Sequence, residues 1–534
     1  MSDKNSVYVM PENVSRTLGR EAQRNNILAA KIVADIVKTT LGPRGMDKML
    51  VDSSGNIVVT NDGVTILEEM ELDHPAAKML VDIAKTQESE VGDGTTSVAL
   101  LAGKLLEQAE FLLDKKIHPT VIVKGYRLAS EKSLEIANNL ASQLDNKKIL
   151  KQIAMTAMTG KGAEGNKEHL AELVVGAVDE TATGKYLSAE VIKIEKIKGE
   201  SVNDSSLIKG IVLDKERAND AMPEKIIDAK ILLIDCSLEL RNPEIETKIS
   251  VTSPEQLEQF IDSEERYLKN MTDKIVFSGA NVVFCQKGID DVAQYYLAQN
   301  GIYACRRISK SDMEKLSLAT YGKIISNIND LTPEILGYAQ VVEEIKHGAD
   351  SVTYVRGCEN PKAVTIVIRG GTTHVIDEVE RAVQDGLGDV IAAVNSGKVV
   401  SGGGAVEIEI AKQLREFAKQ QTGREQLAVE SFANALESIP EALAENAGMD
   451  PIDVLTELRQ KHEKGLIRYG LNLFNNSIED TFAAGIIEPL KVKTQAISSA
   501  TEFATMILRI DDVLISSGNS SEKNKSLNKY EGMD

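Results

Sequence analysis

The chain has 534 residues, of which 42% are hydrophobic, 27% are charged and 4% are aromatic, and its formal net charge is −20. This length predicts about two to four domains, because a single hydrophobic core rarely serves so many residues. The negative charge argues against nonspecific nucleic-acid binding and against binding to an anionic membrane surface. The sequence contains no apolar run of roughly 18 to 20 residues and no signal-peptide core, so we expect a cytoplasmic protein.

Cysteine and histidine usage argues against a zinc site. The cysteines are far apart and form no Cys-x-x-Cys pair, so the sequence predicts buried thiols. The six histidines are also scattered. Any hydrolytic metal chemistry would therefore depend on carboxylates and a hard cation. The cysteines are Cys236, Cys285, Cys305 and Cys358.

The first elements are a helix and a hairpin. Helical spacing of apolar residues predicts a helix over residues 18–41, ended by Gly42-Pro43 and followed by a charged, glycine-punctuated loop. Residues 49–52 and 56–60 flank a Ser-Ser-Gly turn and predict a β-hairpin, which needs a further partner because isolated hairpins are marginally stable. The hairpin exit, Asn61-Asp62-Gly63, is typical of a turn, and the presence of Asp62 alone does not identify a catalytic site.

The segment Gly92-Asp93-Gly94 precedes three hydroxyl residues, Thr95, Thr96 and Ser97, at the start of a strongly periodic helix. Unpaired N–H groups and the positive end of the helix dipole suit phosphate oxygens there. A carboxylate beside phosphates is best explained as a ligand of a bridging Mg2+. The alternative is an N-capped helix after a tight turn, and the segment lacks the Gly-Lys-Ser/Thr ending of a Walker A loop.

The middle of the chain predicts an α/β module. Residues 155–162 form a flexible basic loop in which Lys161 either reaches a phosphate or is solvated. Strands such as 231–234 and 281–284 then alternate with helices. Residues 240–271 interrupt this pattern with an extended polar stretch, 241–247, and a charged amphipathic helix. That helix is either an ordinary surface helix or a projecting arm that meets a partner.

The chain then returns through similar elements. Residues 363–368 predict a buried strand, and the next helix carries a core stripe beginning at Val375 and a separate polar stripe that includes Asp385 and Asp389. We expect the polar stripe to face solvent. A second glycine-rich loop, 402–404, opens another helix. The remainder predicts helix up to residue 485 and again to about residue 508, with a disordered tail.

These motifs together resemble those of group II chaperonins, in their order and spacing. The resemblance extends over essentially the whole chain, is closest to archaeal thermosome subunits, and includes the eukaryotic cytosolic chaperonin. The matching segments are residues 41–50 (LGPRGMDKML), 61–67 (NDGVTIL), 92–97 (GDGTTS), 158–162 (MTGKG), 402–405 (GGGA) and 488–496 (EPLKVKTQA).

The resemblance implies a multidomain α+β chaperonin fold. A mainly helical equatorial domain would comprise residues 1–149 and 402–518, and a small α/β intermediate domain residues 150–216 and 366–401. An α/β apical domain would comprise residues 217–365, with a helical lid protrusion at about 240–272. Residues 519–534 would be a disordered tail.

The resemblance also implies an ATP-dependent chaperone. Identical or paralogous subunits would form two stacked rings that enclose unfolded client proteins, with no nucleic-acid or membrane partner. The predicted hairpin would pair with strands of a neighbouring subunit, and Mg-ATP hydrolysis would close the built-in lid.

The resemblance assigns a role to each matching site residue. Asp93 would bind Mg2+, whereas Asp62 and Asp385 would position and activate the attacking water. Hydrolysis would then require the intermediate domain, which carries Asp385, to close over the nucleotide. The phosphates would be held by Gly94, Thr95, Thr96 and Ser97. Lys161 would sense the γ-phosphate, and Gly160 would also contact the nucleotide. The rest of the nucleotide would lie near Gly42, Pro43, Gly403, Gly404, Asn472, Leu473, Phe474, Glu488 and Lys493.

Three segments depart from the pattern of the family. Ser401 replaces a usual proline, residues 472–476 differ from a Phe-Thr-Gly pattern, and Asp385-Gly386-Leu387-Gly388-Asp389 replaces a common Asp-Ala-Leu. All three expected carboxylates remain, so we expect ATPase activity. One alternative is a catalytically weak structural subunit of a hetero-oligomeric ring. Another is a small-molecule kinase, which would need a compact acceptor pocket.

Overall fold

A computed structural model describes residues 14–516, except 52, 163, 183–185, 200, 241–252 and 349. The chain divides into two compact units. The first is formed by the chain up to Ala141, by Ser401–Ala484 and by the chain from Val492 onward, and the second by Ser142–Val400 and Gly485–Lys491. The division into three domains is finer than these two units and stays a prediction.

Helices dominate the first unit and surround the sheets of the second. The helices are α1 (Gly19–Lys38), α2 (Gly63–Glu69), α3 (Pro75–Val91), α4 (Thr95–Asp114), α5 (Pro119–Leu140), α6 (Lys147–Met158), α7 (Lys167–Thr181), α8 (Pro254–Phe277), α9 (Asp291–Gln299), α10 (Lys310–Thr320), α11 (Thr373–Ser396), α12 (Ala405–Gln420), α13 (Glu425–Leu436), α14 (Ser438–Asn446), α15 (Pro451–Glu463) and α16 (Leu490–Ile507). Within the described residues, none of them combines the length and hydropathy needed to cross a bilayer.

The strands are short, and most belong to the second unit. They are β1 (Val14–Leu18), β2 (Lys48–Val51), β3 (Ile57–Thr60), β4 (Ser142–Gln143), β5 (Ile192–Lys198), β6 (Ser206–Ile208), β7 (Gly210–Leu213), β8 (Lys225–Ile234), β9 (Val282–Cys285), β10 (Tyr303–Cys305), β11 (Ile324–Ile325), β12 (Gly337–His347), β13 (Asp350–Arg356), β14 (Val364–Gly370), β15 (Lys398–Ser401), β16 (Tyr469–Asn472), β17 (Ser477–Asp480), β18 (Ile487–Pro489) and β19 (Asp512–Ser516).

Helix α4 is the core element of the first unit. Its side chains are buried around most of its circumference, and α1, α3 and α13 pack against it. The approach of α1 depends on a small residue, because a Cβ at Gly103 would lie only 2.4 Å from the Cβ of Ala34. This close packing fixes the position of the N-terminus of α4, where the predicted phosphate loop ends.

The second unit contains three sheets. The largest has the order β10-β9-β8-β12-β13-β7, with β11 paired to β8, and its β8–β9 and β9–β10 pairs are parallel. A three-stranded sheet, β5-β14-β6, contacts α11 and α7, and a second three-stranded sheet has the order β18-β15-β4. The mixed helix and sheet content agrees with the predicted α+β class.

Most of the predicted elements are present, with the hairpin β2–β3 and the helices α1, α4 and α12 close to their expected bounds. The charged helix of the interruption is α8, on which Leu268 is buried and Phe260 is 41% exposed. The polar stretch 241–247 and the predicted tail lie outside the described residues. All four cysteines are buried free thiols, as predicted, and burial raises the pKa of Cys305 to about 11.

Three predictions were wrong. Residues 155–158 continue α6 instead of opening a loop, and β16, β17 and β18 replace part of the expected C-terminal helix. The polar stripe on α11 is not solvated, since Asp385 is 8% and Asp389 1% exposed. The expected core stripe is buried from Val379 to Val390, and its first member, Val375, is 44% exposed. Periodicity identifies the residues that share a helix face but not the elements that cover that face.

Candidate functional site

The predicted phosphate loop makes a sharp turn between α3 and α4. Gly92 and Gly94 have φ angles of 91° and 82°, in the left-handed region that glycine adopts without a steric penalty. No side chain caps α4, and within the described part of the chain the backbone N–H groups of Thr95, Thr96 and Ser97 donate to no protein acceptor. Free N–H groups at the positive end of a helix are suited to binding an anion such as phosphate.

Asp62 lies beside the start of α4. Its Oδ2 atom caps α2, accepting hydrogen bonds from the backbone N–H of Thr65 at 3.0 Å and from the Thr65 hydroxyl at 2.7 Å. The Thr95 hydroxyl lies 3.5 Å from Asp62 Oδ1. Gly63 allows the two helix starts to approach this closely, because a Cβ on that residue would clash with Thr96 Oγ1 at 2.6 Å. The turn therefore has a capping role, and the tertiary fold places its carboxylate next to the phosphate loop.

The side chain of Asp93 fits a magnesium ligand. Its backbone carbonyl accepts a hydrogen bond from Gln87, whereas its carboxylate has no hydrogen bond or ion pair among the residues that the structure describes. No group of three or more metal-binding side chains occurs in the described part of the chain. A single carboxylate is consistent with Mg2+ bound together with substrate phosphates, since Mg2+ in such sites often takes only one or two protein carboxylates.

Gly42 lies in a tightly packed corner of the first unit. A Cβ on Gly42 would lie 2.3 Å from the Leu443 side chain and 3.8 Å from Leu473, a core residue that is 4% exposed. The side-chain amide of Asn446 donates to the carbonyls of Lys38, at 3.0 Å, and Leu41, at 2.9 Å, and so fixes the end of α1. These contacts place Gly42 and the following Pro43 a few residues after the restrained end of α1.

The second glycine loop is packed against strand β16 and helix α14. A Cβ on Gly403 would lie 2.4 Å from the Leu471 carbonyl oxygen, and one on Gly404 would lie 2.7 Å from Pro440. The carbonyl of Gly403 also accepts a hydrogen bond from the backbone N–H of Leu471 at 2.8 Å. Both positions therefore require glycine for packing, whatever they bind.

The remaining predicted residues of the first unit have differing environments. Asn472 is buried, and its side chain bonds to Glu479 and to the backbone N–H of Phe474, so it shapes the β16–β17 turn. The Phe474 side chain is 50% exposed. Lys493 is buried in the first turns of α16 and pairs with Glu407 Oε1 at 2.9 Å.

In the second unit, the structure brings Lys161 and Asp385 together. Lys161 follows the end of α6, next to Gly160 in the left-handed region, and its Nζ atom pairs with the Asp385 carboxylate on α11. A Cβ on Gly386 would lie 2.7 Å from Met158 Cε, so this glycine lets α11 pack closely on α6. This contact explains one departure from the family pattern. Glu488 lies on β18, within the sheet that also contains β15 and β4.

Sequence patterns did not single out Gln87, Glu407 and Asn446. All three are polar residues on helices, which usually indicates a solvated position. Gln87 and Glu407 are 0% and 2% exposed, and Asn446 bonds to two carbonyls at the end of α1. The only sequence signal that could have identified these three residues is their position, within a few residues of a glycine-rich loop or of another buried segment.

Comparison with known proteins assigns the family. Residues 33–517 match the model of the TCP-1/cpn60 chaperonin family. A thermosome subunit of Methanopyrus kandleri is 56% identical over 518 residues, which cover 96% of this chain and 95% of the relative. Thermosome subunit beta of Methanothermobacter thermautotrophicus is 55% identical, with 99% and 98% covered, and thermosome subunit alpha of Archaeoglobus fulgidus is 53% identical, with 97% and 96% covered. The chain therefore belongs to the TCP-1/cpn60 chaperonin family, among its group II members.

Proposed function

We propose that this chain is an ATP-dependent chaperone subunit. Identical or paralogous subunits would form a cytoplasmic double ring that encloses unfolded proteins, and ATP hydrolysis would close a built-in lid. The names of several relatives, thermosome subunits alpha and beta, support assembly from paralogous subunits. Membership of the chaperonin family supports the folding role.

One structural observation supports the proposed ATPase activity. The uncapped N-terminus of α4 and the carboxylates of Asp93 and Asp62 all belong to one corner of the first unit, and the Asp93 carboxylate has no partner among the described residues. N–H groups and hydroxyls favour phosphate oxygens, and a nearby free carboxylate favours a metal ion that neutralises phosphate charge. A turn that only separated α3 from α4 would not require free N–H groups and two carboxylates to lie together at the start of α4.

Each residue then has a defined task. The N–H groups of Gly94, Thr95, Thr96 and Ser97 bind and orient phosphate oxygens, and Asp93 holds Mg2+, which when bound neutralises phosphate charge. Asp62 orients the attacking water through Oδ1, since its Oδ2 is already engaged by Thr65. Asp385 accepts the proton of that water, and Lys161 responds to the γ-phosphate. The roles of Asp385 and Lys161 rest on the resemblance and on their ion pair.

The test is steady-state ATP hydrolysis with Mg2+ by the purified assembly, comparing the parent with Asp385→Ala. We expect the variant to lose hydrolysis by roughly 100-fold or more, the usual contribution of a general base, while it still binds ADP. Asp377→Ala is the matched control, because Asp377 lies on the same helix but forms an ion pair with Lys196 at the surface.

The outcomes separate the alternatives. Equal hydrolysis by the parent and Asp385→Ala would show that Asp385 is not the base. An inert parent would favour the structural-subunit alternative. Loss of activity in Asp377→Ala as well would point to a general disturbance of α11 instead of a specific chemical role.

A further inference from the structure

The side chain of Gln87 joins two distant parts of the first unit. Gln87 lies on α3, is 0% exposed, and its Nε2 atom donates to the carbonyl oxygens of Asp93 at 2.9 Å and Val492 at 3.3 Å. Both partners are carbonyl oxygens, which only accept, so the orientation of the amide is fixed by chemistry. The second bond spans 405 positions in the chain.

This arrangement leaves one buried polar atom of Gln87 unsatisfied among the described residues. The Oε1 atom of Gln87 is buried and has no hydrogen-bond partner in the described part of the chain. An unsatisfied buried oxygen costs about 1–3 kcal/mol. Such an exception in a buried residue is often found where function requires it.

The bond to Asp93 fixes the orientation of one peptide group. In a planar trans peptide, the N–H of one residue points opposite to the carbonyl of the residue before it. With the Asp93 carbonyl held by Gln87, the N–H of Gly94 points away from Gln87. Gly94 has a φ angle of 82° and no Cβ, so without this bond the peptide would rotate readily. The amide also packs closely on the loop, since a Cβ on Gly94 would lie 3.0 Å from Gln87 Nε2.

The bond to Val492 connects this peptide to a second buried contact. Lys493, the next residue, pairs with Glu407, and the two side chains are 10% and 3% exposed. Glu407 lies in the first turn of α12, directly after the glycine loop that ends at Gly404. Gln87 and Glu407 therefore attach the phosphate loop and the second glycine loop to the same turn of α16.

We propose that Gln87 is a positioning residue that holds the Asp93–Gly94 peptide in the orientation that presents the Gly94 N–H to phosphate oxygens. This inference rests on the proposed nucleotide site. Gln87 touches no substrate; it acts through Asp93 and Gly94. Glu407 supports the same arrangement through its ion pair with Lys493, which attaches the first turn of α16, and with it Val492, to α12.

The experiment measures ADP binding by calorimetry to the purified assembly, once with Mg2+ and once with a chelator. Gln87→Met keeps the side-chain volume and removes both hydrogen bonds. We expect about tenfold weaker ADP binding under both conditions, the equivalent of one lost hydrogen bond to phosphate, while the melting temperature of the ligand-free protein falls no further than in the control variant below. Gln294→Met is the matched control, because Gln294 is also buried and donates to a backbone carbonyl, that of Ile289 at 2.7 Å.

A second variant tests the hydrogen bond itself. In Gln87→Glu, the ionised carboxylate repels the two carbonyl oxygens, whereas the protonated form donates one hydrogen bond. The ADP affinity of this variant should therefore recover toward that of the parent as the pH falls. The ratio of the Gln87→Met affinity to the parent affinity should stay the same over the same pH range.

Each result decides between positioning and packing. Parent-like ADP affinity in Gln87→Met overturns the inference but leaves the proposed function intact. A melting temperature well below that of Gln294→Met, or failed assembly, in both variants also overturns it, since Gln87 would then serve packing. A parent that binds no ADP refutes the proposed function, and the inference with it.

Discussion

Lys161 and Asp385 form an ion pair although 224 positions separate them in the chain, and their side chains are only 16% and 12% exposed. Each charge has lost most of its hydration, so each depends on the other. The pair joins the loop after α6 to the middle of α11. Two residues to which the resemblance assigned separate roles are thus one structural group within the second unit.

We expect strong energetic coupling between these two residues. A double-mutant cycle with Lys161→Met and Asp385→Asn should give a coupling free energy of about 1–3 kcal/mol in urea unfolding of the ligand-free protein, because each single change leaves a partly buried charge without its partner. Lys147 and Asp179 form the control pair, since their side chains are 74% and 39% exposed and should couple by less than about 1 kcal/mol. Equal coupling in the two cycles would contradict the expectation.

Gly403 should tolerate no side chain. Its φ angle is 65°, and an added Cβ would meet the Leu471 carbonyl oxygen at 2.4 Å, which cannot move without disrupting β16. Gly403→Ala should therefore lower the melting temperature and weaken ADP binding. Gly448→Ala is the control, because Gly448 has a φ angle of 72° but open space around it, so its cost is only the backbone strain of about 1 kcal/mol. Equal losses of stability in the two variants would contradict this prediction.

Glu437 should make the free energy of unfolding depend on pH. Burial raises its pKa, but hydrogen bonds from Arg415 and Arg459 outweigh that effect, and the net pKa is lowered. Its contribution to the free energy of unfolding is therefore fully present above the pKa of about 4.3 in the unfolded state. That contribution is lost as the pH falls through the lower pKa of the folded state.

Glu437→Gln should reduce the free energy of unfolding at neutral pH by roughly 2 kcal/mol, and urea titrations should show this difference shrinking as the solution is acidified below about pH 4. Glu425→Gln, which removes a surface pair with Lys124, should change the free energy of unfolding much less than Glu437→Gln. A pH-independent difference for Glu437→Gln would show that the ion pairs do not cause it.

The hairpin β2–β3 should be needed for assembly. Met49 pairs across the strands with Val59 and Val51 with Ile57, so the four side chains share one face, and they are 45–68% exposed. Such an exposed apolar face on a two-stranded sheet is typical of an interface.

Val51→Lys should therefore dissociate the proposed rings in sedimentation experiments without lowering the stability of the subunit, because the residue is already exposed. Ile452→Lys, at a position that is 75% exposed on α15, should leave assembly unchanged. Intact rings in Val51→Lys would exclude the hairpin as an essential contact.

Much of the site was predictable from local sequence. The Gly-Asp-Gly turn, the start of α4 and the glycine loop before α12 depend on backbone preferences that a few neighbouring residues determine. The missed strands β16 to β18 are three to four residues long, and β16 and β17 form their ladder with each other. Such short segments show no clear hydrophobic period in the sequence. They are defined by their pairing with other strands, which depends on the tertiary structure.

The sequence alone identified the family and the residues to which we assign the chemistry: the two glycines around Asp93 and the carboxylates Asp62 and Asp385. Only the tertiary structure decided which of them meet. Asp62 lies beside Thr95, Lys161 pairs with Asp385, and Gln87 connects Asp93 with Val492. The physical reason is that hydrogen bonds and ion pairs depend on distances of about 3 Å, and only the packing of the helices sets those distances between remote segments.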